Sequence, residues 1–113
     1  MKILILNYEY PPLGGGGGHR SRSIAATYAR ENHEVYFLTT GWDRFGIFSE
    51  YGFTVNKLDI GRKRTHICTS PEMLKFVIKT WHALTGILRE NKFDRVHVFF
   101  GVPTGLLIFH PGL

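Results

Sequence analysis

The first eighteen residues constrain this chain most, because an apolar run, two prolines and five consecutive glycines follow in close order. Ile3, Leu4, Ile5 and Leu6 have the unbroken apolar pattern of a strand buried on both faces of a parallel sheet. Pro11 and Pro12 exclude both helix and central strand, so the chain must turn there. Gly14, Gly15, Gly16, Gly17 and Gly18 then lead directly into a segment of helical composition. Glycine reaches positive φ without steric cost and lets a ligand approach the backbone. The free N–H groups of a helix start favour an anion. Strand, glycine loop and helix N-terminus together form a candidate seat for a phosphate. The other reading is a flexible connector whose glycines serve turn geometry alone.

Two stricter motifs fail. A P-loop requires Gly-Lys-Ser/Thr, but Gly18 is followed by His19 and Arg20. A dinucleotide fingerprint requires three spaced glycines and an acid at the tip of the second strand. Counting from Gly14 or Gly15 places His19 or Arg20 at the third glycine position, and the second strand ends at Thr39-Thr40-Gly41. NAD is therefore not expected.

Further along, Ile24, Ala25, Tyr28 and Ala29 recur at helical spacing, predicting a helix from about Gly18 to Glu31. Val35–Thr39 is β-branched and aromatic, a second strand. Gly41–Gly52, with three glycines and the aromatics Trp42, Phe45, Phe48 and Tyr51, reads as an irregular loop. Thr54–Ile60 reads as a third strand of mixed exposure. Ser70, Pro71 and Glu72 are a helix-start signal. Leu74, Val77, Ile78, Trp81, Leu84, Ile87 and Leu88 then mark the apolar stripe of a long helix to Asn91. Asp94–Phe100 supplies a fourth strand, in which His97 is expected to pack between sheet and helix.

Alternating strands and helices imply an α/β, Rossmann-like, doubly wound parallel sheet of about four strands and two to three helices. Ligands of such sheets sit beyond the carboxyl ends of the strands. Asn7, His19, Gly101 and Thr104 are the residues expected to line a cleft at that edge.

The order of these segments resembles the N-terminal domain of a family-4-type retaining glycosyltransferase of the two-domain GT-B fold. The likeness rests on KILILNYEYPPLGGGGG, a helix, Asn32-His33-Glu34-Val35, GRKR at 61–64, SPEML at 70–74 and KFDRVHVFFGVPTG at 92–105. Asn32 stands where that family usually has glycine. The resemblance implies sugar transfer from a nucleotide-sugar donor to a glycan, lipid-linked or small-molecule acceptor, without a bound metal or cofactor. The acceptor side would lie in this domain, with the glycine loop near the donor diphosphate. The nucleotide would be held by a C-terminal-type domain bearing Glu-x7-Glu. No such pair occurs here, since the glutamates are at 9, 31, 34, 50, 72 and 90.

The expectation is therefore a single partial domain over residues 1–113, a glycosyltransferase fragment inactive alone and prone to self-association through the free edge of its last strand. The alternatives are a non-catalytic nucleotide- or phosphate-binding module and a complementing subunit of a split glycosyltransferase. At 113 residues, with 43% hydrophobic and 20% charged content, the chain has the composition of a globular domain. No run approaches the roughly 20 apolar residues of a membrane span, and no signal peptide is recognisable, so a cytoplasmic protein is expected. Cys68 is the one cysteine, read as packing. The net charge of +5 is concentrated only at Arg62, Lys63 and Arg64, too short and too poor in aromatics for nucleic acid. The remaining readings of that cluster are a solvated strand end, and an anionic surface such as the inner membrane face or an acidic acceptor.

Overall fold

The computed structural model describes residues 1–11, 16–42, 44–61, 70–99 and 110–111. Its elements are β1 (Lys2–Leu6), α1 (Gly16–Arg30), β2 (Glu34–Thr40), β3 (Gly46–Glu50), β4 (Phe53–Leu58), α2 (Ser70–Glu90) and β5 (Arg95–Val98). They form one five-stranded sheet of order β3-β4-β2-β1-β5. β1 pairs in parallel with β2 and β5, β2 in parallel with β4, and β3 antiparallel with β4.

Strand alternation divides the core in two. Ile3, Ile5, Val35, Phe37 and Val55 face α1, where Ala25 and Ala26 meet them. Leu4, Leu6 and Leu38 face α2 and pack on Phe76, Leu84 and Ile87. One helix on each face makes the sheet doubly wound and explains why Ile3–Leu6 is apolar at every position.

α1 ends in a left-handed cap. Asn32 has φ 68°, its N–H donates to the Ala29 carbonyl at 3.1 Å, and the His33 N–H donates to the Tyr28 carbonyl at 3.0 Å. This is a Schellman arrangement with asparagine in the usual glycine position. His97 packs as expected between β5 and α1, with Nε2 3.2 Å from the Tyr28 hydroxyl.

The structure corrects several expectations. Helix α1 starts at Gly16, so Gly16, Gly17 and Gly18 belong to its first turn and not to a loop. The span Gly41–Gly52 contains β3, giving five strands among the described residues. That strand escaped notice because it is a short edge strand with a 66% exposed Ile47 at its second position. Its hairpin turn is Tyr51-Gly52, both at positive φ, where asparagine-glycine is the usual signal. On α2 the buried line runs through Glu72, Phe76, Thr80, Leu84 and Ile87, whereas Leu74 and Ile78 are 61% and 50% exposed. Polar residues at two buried positions and apolar ones outside rotated the expected stripe. Phe100, Arg62–Arg64 and Cys68 lie outside the described residues.

Candidate functional site at the carboxyl edge of the sheet

β1, β2, β4 and β5 run parallel, so their carboxyl ends share one edge, and α1 begins there. Asn7 follows β1 and continues the ladder, its N–H donating to the Leu38 carbonyl at 3.3 Å. Its side chain is fully buried and engaged at both ends. Nδ2 donates to Ser21 Oγ at 3.0 Å, and Oδ1 accepts the Glu9 N–H at 3.0 Å. Ser21 Oγ in turn donates to the Gly18 carbonyl at 3.0 Å. Asn7 thus pins the second turn of α1 to the end of β1 and fixes the direction of the helix start.

The opening N–H groups of α1 have no partners within the helix, and the residues that carry them include Gly16, Gly17 and Gly18. His19 is exposed on the same turn. Gly18 itself is buried. Among the sequence-predicted site residues, the structure thus brings together Asn7, Gly16, Gly17, Gly18 and His19. Gly14, Gly15, Gly101 and Thr104 lie outside the described residues.

The neighbouring strand ends are tied to one another along this edge. Thr40 Oγ1 donates to the Tyr8 carbonyl at 2.7 Å, and the Gly41 N–H donates to the Leu58 carbonyl at 2.9 Å. Gly41 is required by contact, because a Cβ there would lie 2.2 Å from the Arg44 carbonyl oxygen. Thr39 is fully buried at the end of β2, and its hydroxyl has no hydrogen-bond partner among the described residues.

One network bearing on the site was not anticipated. Tyr10, one residue before Pro11, is 1% exposed and donates its phenol hydrogen to Glu50 Oε1 at 2.8 Å. Lys57 Nζ meets the other oxygen at 2.8 Å and lies 5.0 Å from the Tyr10 ring centroid. Burial, then the bond to Glu50, drives the Tyr10 phenol far above its ordinary range. Burial alone would also raise the Glu50 carboxyl, but the hydrogen bonds from Lys57 and Tyr10 outweigh it and hold the group below its usual value. The sequence signal was the same-face pairing of Phe48 with Glu50 and of Val55 with Lys57, legible only once β3 is recognised as a strand. No group of three or more metal-ligating side chains gathers among the described residues.

No family model matches the chain. Over 101 residues it is 31% identical to a protein of Methanocaldococcus jannaschii named as an uncharacterized glycosyltransferase. The match takes in 86% of this chain and 24% of that protein, so the chain spans about a quarter of its relative's length. The chain is a distant, partial homologue of a protein named a glycosyltransferase, and it is built on an α/β sheet compatible with an incomplete Rossmann-like fold. No helix among the described residues is long and apolar enough to cross a membrane.

Proposed function

We propose that this chain is the acceptor-side portion of a family-4-type, GT-B glycosyltransferase that moves a sugar from a nucleotide-sugar to a glycan, lipid-linked or small-molecule acceptor. The observation that carries this reading is the start of α1. Gly16–Gly18 open a helix at the carboxyl edge of a parallel sheet, held there by Asn7 and Ser21. A glycine helix start has no side chain to keep a diphosphate from its N–H groups, and the helix dipole favours that anion. The match to a glycosyltransferase supports the same direction.

No Glu-x7-Glu pair occurs within these 113 residues, so the reading leaves the nucleotide grip to polypeptide outside them, in the same protein or in a partner. The protein as it stands then binds diphosphate weakly and turns over nothing. A titration with inorganic pyrophosphate followed by amide NMR tests this, with the amides of Gly16 to Ser21 expected to shift saturably. Unmoved amides there, or release of sugar from any nucleotide-sugar by the purified chain, overturn the reading.

A further inference from the structure

A second site lies away from the glycine start, on the flank of α1 facing the β3–β4 turn. Arg22, Ala26 and Arg30 recur every four residues along the helix, with Ser23 and Thr27 beside them, and Tyr51 stands opposite. Together they line a cleft of about 220 Å³. Ala26, buried in the core against the sheet, lines the cleft between the two arginines.

Among the described residues, no acid neutralises the charges in this cleft. α1 carries three arginines and His19, and no acid. Among the described residues no carboxylate lies within ion-pair distance of Arg22 or Arg30. Glu50, next to Tyr51, is engaged by Tyr10 and Lys57. The Arg22 guanidinium instead stacks 5.2 Å from the Tyr51 ring centroid, and Arg30 Nη2 donates to Thr27 Oγ1 at 3.1 Å. Both contacts hold the forks in place, and among the described residues most of their N–H donors have no acceptor.

Tyr51 is also held at a conformational cost. Its φ is 49° and that of Gly52 is 85°, a turn that suits asparagine and glycine and strains a bulky side chain. Stacking on Phe53, with centroids 6.3 Å apart, offsets part of that strain. Tyr51 is nevertheless 63% exposed and lines the cleft.

We propose that this cleft binds a phosphate monoester. A carboxylate brings one charge and two oxygens, whereas a monoester is close to a dianion at neutral pH and brings three terminal oxygens, the better match to a cleft lined by two guanidinium groups. Its source is either a soluble phosphorylated metabolite or a lipid headgroup presented at a surface. The site is independent of the glycine start of α1.

The test has two arms at low ionic strength. In one, inorganic phosphate is titrated against the chain and followed by amide NMR. In the other, the chain is sedimented with phosphatidylcholine vesicles with and without phosphatidic acid. Saturable shifts at Arg22, Arg30 and Tyr51 in the first arm identify a soluble ester, and retention only by phosphatidic acid vesicles identifies a headgroup. In the responding arm, Arg22→Gln and Arg30→Gln each weaken binding about fivefold, as expected for one exposed charge-assisted contact. Tyr51→Asn relieves the turn, so it melts higher than wild type yet binds less tightly, a pair of changes that misfolding cannot produce. Absence of binding in both arms, or wild-type affinity in both arginine variants, overturns the proposal. Shifts confined to Gly16–Ser21 overturn it too, while leaving the diphosphate reading in place.

Discussion

Tyr10 and Glu50 are forty residues apart in the chain and joined by a 2.8 Å hydrogen bond, with Lys57 closing the other carboxylate oxygen at 2.8 Å. This contact ties the residues before the glycine run to the antiparallel edge of the sheet. The Glu50 side chain is 22% exposed and that of Lys57 11%, so the pair is shielded enough to matter energetically. Glu50→Ala leaves the lysine without its partner in a largely dry setting and is expected to cost about 2 kcal/mol, below the fully buried range because some solvent reaches the carboxylate. Replacing both charges, Glu50→Leu with Lys57→Met, is expected to recover only part of that loss, because the buried Tyr10 hydroxyl then lacks its acceptor. Denaturant unfolding of the two variants measures both.

The same carboxyl gives stability a pH dependence of known sign. Its folded pKa is lowered, so its contribution is present above the unfolded value and lost as pH falls through the folded one. Wild type is therefore expected to weaken on acidification below the ordinary glutamate range of about 4.3, whereas Glu50→Gln loses less over that interval. Thermal melts between neutral pH and acid compare the slopes, and parallel curves would contradict the assignment.

Asn7 offers a separate test, because its amide serves Ser21 and the Glu9 N–H together. Asn7→Ala strands buried polar groups on both sides, at an expected cost of about 2 kcal/mol. If the side chain pins the helix start, amide exchange accelerates first around Gly18–Arg22 and leaves the middle of α1 protected. Uniform acceleration would mean that Asn7 supports the fold generally and not that turn.

Thr39 and Thr80 predict the opposite sign. Both hydroxyls are buried without a hydrogen-bond partner among the described residues, one at the end of β2 and one inside α2. Valine keeps the shape and removes the unsatisfied oxygen, so Thr39→Val and Thr80→Val are each expected to be neutral or stabilising by up to about 1 kcal/mol. A melting temperature lowered by several degrees in either variant would show that the hydroxyl has a partner in solution.

Legibility in the sequence followed the number of residues a feature needs. Ile3–Leu6, Val35–Thr39 and the segment around Ala25 announced themselves, because a strand buried on both faces and an amphipathic helix are repeated local patterns. The glycine run marked the sheet edge for the same reason, although its last three residues proved helical. β3 stayed hidden because only Phe48 and Glu50 point toward the α1 face and the turn uses Tyr51 where asparagine is customary. The Tyr10–Glu50–Lys57 network needed the register that sets Phe48 opposite Val55, which no local pattern contains. The Arg22–Tyr51 stacking depends on the same hairpin, so it was equally out of reach.

The orientation of α2 is the sharpest of these differences and the simplest to test. Counting apolar residues puts Leu74 on the buried side and passes over Phe76, yet Phe76 is fully buried beside Tyr8, at 6.3 Å between ring centroids, while Leu74 is 61% exposed. Two positions apart on a helix are about 200° apart in direction, so both cannot face the sheet. Phe76→Ala is expected to cost about 3–5 kcal/mol by opening a cavity against Leu6 and Leu38, whereas Leu74→Lys stays within about 0.5 kcal/mol of wild type. Chemical denaturation of the two variants separates the orientations outright, because a helix turned to bury Leu74 reverses the order of the two losses.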